Sequence, residues 1–394
     1  MDFAQMDQQY VLHTYARSPV AFVRGEGVRL YTESGKTYLD LSSGIGVTSI
    51  GHAHPKLSEA LCEQARTLLH VSNLHLLPPQ AQLAQRLVAL SGYDMRVFFG
   101  NSGAEANEGA IKIARKYGET HFAKKRYKIL TLENSFHGRT ITTVKATGQG
   151  SMHPPHFAPY PDGFGYEASL EALRGAIDDE TVAVMLELVQ GEGGVQPLDK
   201  AEVQALARDL KRQGILLIVD EVQTGIYRTG RFLASQLYEI EPDIITLAKG
   251  LGGGVPIGAV MTRLKEIFSP GDHGSTFGGN YLSSRAGLTV LEVLEEADLD
   301  GTIAQAQLTL ESHLDRVMER YGHLFDRSVG LGLMRGLRAK DSAIQRDVLA
   351  AAFDAGVIVL KAGRNTIRFL PSLLITPEEI MEGFVRFEKA LDTL

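Results

Sequence analysis

Short apolar runs alternate with longer amphipathic stretches through the middle of the chain. A run of four to eight apolar residues bounded by turn-forming residues predicts a buried strand, and apolar recurrence at intervals of three and four predicts a helix. The predicted strands are Arg96–Phe99, Lys128–Leu132, Val182–Val189, Ile215–Val219, Asp243–Leu247 and Ile257–Met261. The predicted helices between them include Glu105–Tyr117, Leu170–Ile177 and Lys200–Gln213. This alternation predicts an α/β protein with a mostly parallel central sheet that helices cover on both faces.

The pattern changes after about Tyr281. Two long helical stretches, Leu282–Glu296 and Thr302–Arg320, lead into shorter strand-like pieces and a closing helix at Pro377–Leu391. The strand-like pieces are Leu331–Leu337, Gly356–Lys361 and Thr366–Leu370, and Phe22–Leu41 predicts further strands that could join them. We therefore predict an N-terminal segment (1–50) that joins a small α+β domain (282–394), and a large domain (51–281) between them.

Polar and glycine-rich segments follow the predicted strands of the large domain. These segments are Gly100–Glu105, Glu133–Thr140, Gln190–Gly194, Asp220–Gly225 and Lys249–Gly254. In open α/β sheets, ligands bind outside the carboxyl ends of the strands. The sequence therefore predicts a ligand site at this edge of the sheet.

Charge and cysteine content restrict the kinds of partner. Lys and Arg number 40 against 47 Asp and Glu, which gives a net charge of −7 with both signs mixed along the chain, and no basic run indicates a nucleic-acid surface. We expect a small-molecule partner instead. Cys62 is the only cysteine, which excludes an intramolecular disulfide and argues against a cysteine-based metal site. The longest apolar run, Val348–Phe353, is far shorter than the ~20 residues of a membrane span, and the polar N-terminus does not resemble a signal peptide, so we expect a cytoplasmic protein without a membrane segment.

Asp220 and Lys249 each end a predicted strand. Asp220 follows five apolar residues, a position compatible with an exposed loop residue and with a buried carboxylate that a cation, such as a protonated pyridine nitrogen, keeps ionised. Lys249 follows a largely apolar strand and precedes the glycine-rich Gly250–Gly254, which would let a bulky ligand approach the backbone. A P-loop is excluded because the lysine precedes the glycines. A lysine that forms a Schiff base explains this context better than a solvated one.

Two other segments allow a structural and a functional interpretation. Ser102 and Glu105 have the spacing of a helix capping box, but the N–H groups of Gly103 and Ala104 with the Ser102 hydroxyl could also hold a phosphate. In Ser135–Thr140, Phe136 could stack on a flat ring and Arg139 could grip a carboxylate, or both could belong to an ordinary loop. The histidines of Gly51–Pro55 have no third ligand at suitable spacing, so no metal is expected there.

Six segments, taken together and in this order, resemble a single family. They are Asn101–Glu108, Phe136–Thr140, Gln190–Gly194, Asp220–Gly225, Ala248–Gly250 and His273–Asn280. From about Phe22 to Pro371 the chain resembles the class III (subgroup II) pyridoxal-phosphate aminotransferases, and within them the acetylornithine aminotransferases. The resemblance implies the aspartate-aminotransferase-like fold (fold type I), the cofactor pyridoxal 5'-phosphate and a homodimer.

The resemblance also implies a reaction and a cofactor site. The enzyme would transfer the terminal amino group of N-acetylornithine to 2-oxoglutarate in arginine biosynthesis, with ping-pong kinetics. Lys249 would bind the cofactor as a Schiff base, Asp220 would pair with the pyridine nitrogen, Gln223 would contact the ring hydroxyl and Phe136 would stack on the ring. The other residues implied to bind the cofactor are Ser102, Gly103, Ala104, Glu221 and Val222, with Thr276 of the partner subunit.

Substrate binding is implied for four further residues. Arg139 would bind the α-carboxylate of the amino donor, with Ser275 near the same substrate. Arg368 would receive a carboxylate of 2-oxoglutarate, and Glu192 would cover Arg368 while the amino donor is bound.

The chain departs from the family pattern at a few positions. His75 and Leu76 replace an aromatic pair near the expected substrate entrance, and Leu188 and Tyr281 replace prolines. Ile45 stands where ornithine aminotransferases have a tyrosine, which argues against free ornithine. The alternatives within the family are succinylornithine, N-succinyl-diaminopimelate and 4-aminobutyrate aminotransferases and the aminomutases. A dinucleotide-dependent oxidoreductase would need a G-x-G-x-x-G motif in the first βα unit, and this chain has none there.

Overall fold

The computed structural model describes residues 2–394. The strands are β1 (Phe22–Glu26), β2 (Arg29–Thr32), β3 (Thr37–Asp40), β4 (Arg96–Gly100), β5 (Lys128–Leu132), β6 (Phe164–Glu167), β7 (Thr181–Leu186), β8 (Val189–Gln190), β9 (Gln196–Pro197), β10 (Leu216–Asp220), β11 (Ile244–Leu247), β12 (Gly258–Thr262), β13 (Phe325–Leu331), β14 (Met334–Ala339), β15 (Val357–Ile358), β16 (Leu360–Ala362) and β17 (Thr366–Phe369). The α-helices are α1 (Phe3–Tyr10), α2 (Ser43–Gly46), α3 (Pro55–Thr67), α4 (Pro78–Ser91), α5 (Gly103–His121), α6 (Ile141–Ala146), α7 (Leu170–Gly175), α8 (Lys200–Gln213), α9 (Ala234–Leu237), α10 (Tyr281–Leu299), α11 (Thr302–Arg320), α12 (Ser342–Asp354) and α13 (Pro377–Leu391).

The central sheet has seven strands in the order β4-β12-β11-β10-β7-β5-β6. The strands from β11 to β6 are parallel neighbours, and β12 runs antiparallel to both β11 and β4. The predicted α/β fold with a mostly parallel sheet is confirmed. Alternate residues of β7 belong to separate cores: Val184 and Leu186 pack with residues of α7 and α8, and Ala183 and Met185 pack with residues of α5. Helices therefore cover both faces.

The predicted bounds of an element agree best with the structure where the sequence contains clear capping residues. Helix α8 has the predicted bounds because the Asp199 side chain accepts the N–H of Glu202 and Gly214 ends the helix at a φ of +66°. Strand β6 was not predicted, since its four residues are only half-buried and form no apolar run. The predicted strand Val182–Val189 ends early, at Leu186, because the buried carboxylate of Glu187 follows.

The remaining strands form outer sheets. Strand β3 pairs in parallel with β15, so the strands predicted in Phe22–Leu41 do join the C-terminal part of the chain. The predicted single strand Leu331–Leu337 is wrong: Gly332, with a φ of +57°, reverses the chain between β13 and β14. Helix α10, which follows the predicted boundary at 281, packs against α3 and α4. The division into segments 1–50, 51–281 and 282–394 stays a prediction.

The fold places the carboxyl ends of the inner parallel strands at one edge. All five residues of β10 and all four of β11 are buried, so Asp220 and the segment after Leu247 emerge directly from the core. Within residues 2–394, no helix is long and apolar enough to cross a membrane.

Candidate active site

A cavity of about 430 Å³ lies at the carboxyl ends of the central strands, the edge that the sequence predicted. All five predicted segments contribute to its lining. The predicted site residues that line it are Ser102, Gly103, Ala104, Phe136, Arg139, Glu192, Asp220, Val222, Gln223 and Lys249. Its volume is within the range of small-molecule sites.

The Asp220 carboxylate is buried and held by four donors. Its Oδ2 accepts hydrogen bonds from Asn107 Nδ2 and His137 Nδ1, both at 2.8 Å. Its Oδ1 accepts the N–H of Val222 at 3.0 Å and, weakly, the hydroxyl of Thr246 at 3.4 Å. The chain thus fixes the orientation of an acidic group at the cavity wall.

Lys249 begins a 3₁₀ turn directly after β11 and has a φ of +44°. Burial is the main cause that lowers the pKa of its amine below the usual range, and the nearby Arg368 guanidinium lowers that pKa further. The carboxylates of Glu192, Asp220 and Glu187 raise the pKa and offset part of this effect. A buried lysine with a lowered pKa is a reactive amine.

The N-terminus of α5 forms another part of the wall. Ser102 caps the helix by accepting the N–H of Glu105 at 3.2 Å, and the Glu105 carboxylate bonds the N–H of Asn101, not that of Ser102 as a capping box requires. A Cβ at Gly103 would lie 2.7 Å from Cγ1 of Val222, so only glycine fits there. The N–H groups of a first helical turn have no intrahelical acceptors and bind anions well.

Phe136 and Arg139 lie on the next loop. The Arg139 guanidinium is 5.9 Å from the centre of the Phe136 ring, and its Nη1 donates to Met152 Sδ at 3.7 Å. Arg139 is exposed, and its contact with a thioether sulfur leaves the guanidinium able to accept an anionic partner.

Arg368 lies on β17, outside the cavity lining, with its side chain only 3% exposed. Its Nη1 donates to Oε1 of Glu192 at 2.6 Å and to Oε1 of Gln223 at 3.2 Å. The Glu192 side chain is 32% exposed and lines the cavity. A buried guanidinium is thus neutralised by a carboxylate that has access to the ligand space.

Besides Arg368, three predicted site residues lie away from the cavity lining. Glu221 is buried with its carboxylate turned to the start of α9, where it accepts the N–H groups of Ala234 and Ser235. Its side chain therefore does not line this cavity, and its contact with a cofactor stays a prediction. Ser275 and Thr276 line a separate crevice. Ser275 Oγ accepts a hydrogen bond from Nδ2 of Asn101 at 3.2 Å, and Thr276 is exposed.

Several further residues line the cavity without having been predicted as site residues, and three of them have polar side chains that bear on its chemistry. These three are Asn107, His137 and Glu187. A partial signal for Glu187 exists in the sequence, because it follows an apolar run as Asp220 does. Asn107 and His137 carry no such signal, since their importance comes from their bonds to Asp220. In the described part of the chain, no group of three or more His, Cys, Asp or Glu side chains could hold a metal ion.

Comparisons with known proteins agree with this geometry. The sequence model of the family "Aminotransferase class-III" matches residues 10–391. The chain belongs to the class-III aminotransferases. An acetylornithine aminotransferase of Wolinella succinogenes is 57% identical over 387 residues, which are 98% of this chain and 98% of that protein.

Solved structures are similar over nearly the whole chain. An ornithine aminotransferase from Toxoplasma gondii has a TM-score of 0.93 at 33% identity, covering 99% of this chain and 94% of that one. An N-acetylornithine aminotransferase from Stenotrophomonas maltophilia has a TM-score of 0.83 at 33% identity, covering 99% and 98%. The aminotransferase thus has fold type I and depends on pyridoxal phosphate, as the resemblance implied, and the dinucleotide-dependent alternative is excluded.

The residues present fit this cofactor. The cavity combines a reactive lysine amine, a fixed buried carboxylate and a helix N-terminus where a side chain at Gly103 would clash. These groups match the aldehyde, the basic ring nitrogen and the phosphate of pyridoxal phosphate.

Proposed function

We propose that this aminotransferase transfers the terminal amino group of N-acetylornithine to 2-oxoglutarate. The products are glutamate and N-acetylglutamate semialdehyde, and the reaction is a step of arginine biosynthesis in the cytoplasm. The observation that carries the proposal is the 57% identity to the acetylornithine aminotransferase of Wolinella succinogenes, over 98% of both chains. The structural neighbours alone do not identify the amino donor, because they include both an ornithine and an N-acetylornithine aminotransferase.

Lys249 and Asp220 are the catalytic residues of this proposal. Bound pyridoxal phosphate supplies an aldehyde that combines with amines and a ring that withdraws electrons. Burial lowers the pKa of Lys249, so a larger fraction of its amine is uncharged. The uncharged amine is the form that attacks an aldehyde and that removes a proton from the substrate carbon. Asp220, oriented by Asn107 and His137, is the counter-charge for a protonated ring nitrogen.

The rest of the cavity wall orients the cofactor. Gly103, Ala104 and the Ser102 hydroxyl, at the start of α5, would hold the phosphate, and Phe136 would stack on the ring. Gln223 would contact the ring hydroxyl, and Val222 packs beside Gly103, where the phosphate would be held. These residues and Lys249 line the same cavity, so they would orient the cofactor towards the Lys249 amine.

Two arginines let one site use two substrates. Arg139 binds the carboxylate that both substrates have. Ser275 lines the separate crevice, and its role near the same substrate stays a prediction. N-acetylornithine presents a neutral arm at the other end, and Arg368 is neutralised by Glu192 while that arm is bound. When 2-oxoglutarate binds, its second carboxylate competes with Glu192 for Arg368.

Ile45 supports an acylated donor over free ornithine. It is 44% exposed with a φ of +70°, two residues before Val47, which lines the cavity. An aliphatic side chain offers no hydrogen bond to a second charged amine. His75 and Leu76, the other departures near the expected entrance, are exposed.

A homodimer is also part of the proposal. Leu74, Leu76 and Phe277 are 90%, 95% and 60% exposed, an arrangement that a second copy would cover. Thr276, next to Phe277, would then reach the phosphate of the partner's cofactor. Light scattering should give a mass of twice 43.0 kDa, and a mass of 43.0 kDa would contradict the dimer.

The substrate is tested by a panel of donors with 2-oxoglutarate. The panel contains N-acetylornithine, N-succinylornithine, N-succinyl-diaminopimelate, ornithine and 4-aminobutyrate. We expect the highest kcat/KM for N-acetylornithine. A higher value for any other donor would replace the proposed substrate but leave the family unchanged.

A further inference from the structure

Glu187 follows β7 and its side chain is buried at the wall of the cavity. Its two oxygens accept hydrogen bonds from two loops: Oε1 accepts the backbone N–H of Phe136 at 2.9 Å, and Oε2 accepts that of Gly191 at 3.0 Å. Both donors lie outside regular helices and strands. One buried carboxylate therefore joins the loop that carries Phe136 to the turn that leads into Glu192.

The turn at Gly191 also fixes the surroundings of Arg368. A Cβ at Gly191 would lie 2.3 Å from Oε1 of Gln223, so the turn packs directly on that side chain. The same Gln223 oxygen and the Glu192 carboxylate share Nη1 of Arg368. A shift of Gly191 would therefore disturb both partners of Arg368 together.

A carboxylate is needed for this connection. Two N–H donors require two acceptor atoms, whereas an amide supplies one acceptor and would turn its NH2 group towards the other N–H. Burial is the main cause that raises the pKa of Glu187, to about 7, with the Asp220 charge acting in the same direction. His137 and the two backbone N–H groups oppose the rise, and the Lys249 amine faces the same space.

We propose that Glu187 is a positioning residue that fixes the Phe136 loop and the Gly191–Glu192 turn relative to each other. This keeps Glu192 where it can neutralise Arg368 during the half-reaction with the amino donor. This role rests on the proposed function, because it acts on the discrimination between N-acetylornithine and the dicarboxylates. This role does not involve direct binding of a substrate, because both oxygens of Glu187 already accept backbone N–H groups.

The decisive variant is Glu187→Gln, which keeps the shape and removes one acceptor. The measured quantity is the single-turnover rate with glutamate divided by that with N-acetylornithine. Release of the Gly191 turn frees Arg368, so we expect this ratio to rise at least about threefold. A ratio equal to that of the wild type would overturn the inference.

A double variant tests whether the effect passes through Glu192. If it does, Glu187→Gln combined with Glu192→Ala should give the same ratio as Glu192→Ala alone. Multiplication of the two single effects would show that Glu187 acts by another route and would overturn the inference.

The control is Asp243→Asn. Asp243 is a half-buried carboxylate at the opposite end of the same sheet, where its Oδ2 accepts the N–H of Leu217 at 2.9 Å, and burial raises its pKa as well. Asp243→Asn should have a lower melting temperature than the wild type and the same ratio of single-turnover rates with glutamate and N-acetylornithine. A change of ratio in the control equal to that of Glu187→Gln would reduce the effect to general destabilisation and overturn the inference.

Hydrogen exchange gives a readout that needs no turnover and no variant. The amides of Phe136 and Gly191 should exchange far more slowly in the wild type than other loop amides, and faster in Glu187→Gln. Exchange in the wild type at the rate of unprotected loops would overturn the inference even if the variant did not fold. A wild type inactive with N-acetylornithine would instead contradict the proposed function and leave the exchange result to decide the role of Glu187.

Discussion

The Nδ1 atom of His137 lies 2.8 Å from Oδ2 of Asp220, with both side chains buried. Because the carboxylate accepts, the imidazole must donate from Nδ1, which fixes the tautomer of a neutral ring. Nε2 of His137 is buried without a hydrogen-bond partner among the described residues. His137 thus fixes the position of the Asp220 carboxylate at the cavity wall.

Replacement of His137 should therefore weaken cofactor binding through Asp220. Loss of a hydrogen bond to a charged group costs about 1.5–3 kcal/mol, so His137→Leu should raise the Kd for pyridoxal phosphate roughly 10-fold to 100-fold. His137→Asn can return an N–H donor near the position of Nδ1 and should recover part of the affinity. Titration of the cofactor-free variants checks both values. Equal affinity of His137→Leu and wild type would show that this bond does not support the site.

The covalent site is predicted to be Lys249. The purified protein should be yellow, and borohydride should fix the cofactor to a peptide that contains Lys249. Lys249→Ala should bind the cofactor reversibly and lose the colour on dialysis. Mass spectrometry of the reduced, digested protein is the measurement, and a label on another lysine would refute the assignment of the reactive amine.

The pair of Glu192 and Arg368 should control which substrate is favoured. Without its carboxylate partner, Arg368 is permanently free for a dicarboxylate, so Glu192→Ala should speed the half-reaction with glutamate relative to that with N-acetylornithine by roughly tenfold. Arg368→Ala should weaken the use of 2-oxoglutarate and largely spare the donor half. Single-turnover spectra of each half-reaction measure these effects, and equal effects on both halves would rule the switch out.

The sequence predicted the edge of the sheet where the site lies because its signals are local. Asp220 and Lys249 each end an apolar run, and a strand carries its last residue to the sheet edge wherever the strand lies. The predicted segments line one cavity for that reason. The strand β6 escaped prediction because its stability comes from pairing with β5 and not from an apolar pattern of its own.

The connections within the site depend on three-dimensional contacts that no spacing reveals. His137 and Asn107 are 83 and 113 residues from Asp220, and their types are common in loops and on helices. Glu221 illustrates the converse: its place in a family motif suggested the cofactor, yet its carboxylate supports the start of α9. Neighbouring residues of one motif point to opposite sides after a strand ends.

The raised pKa of Glu187 also allows a prediction of how the free energy of unfolding depends on pH. Its pKa is raised from 4.5 to about 7 by burial, so between these values the folded protein keeps a proton that the unfolded chain releases. Stability therefore falls as the pH rises through this window and is constant, with respect to this group, above about 7. A rise of this size corresponds to roughly 3 kcal/mol.

The variant Glu187→Gln lacks this titration and isolates it from the histidines, which both proteins share. Denaturant unfolding of the cofactor-free proteins between about pH 5 and pH 8 should show a wild type that loses stability relative to the variant as the pH rises towards 7, after which the difference stays constant. The slope of this difference with pH, and not its sign, carries the prediction. Parallel stability curves would mean that Glu187 titrates near its ordinary pKa and that burial does not restrain its charge.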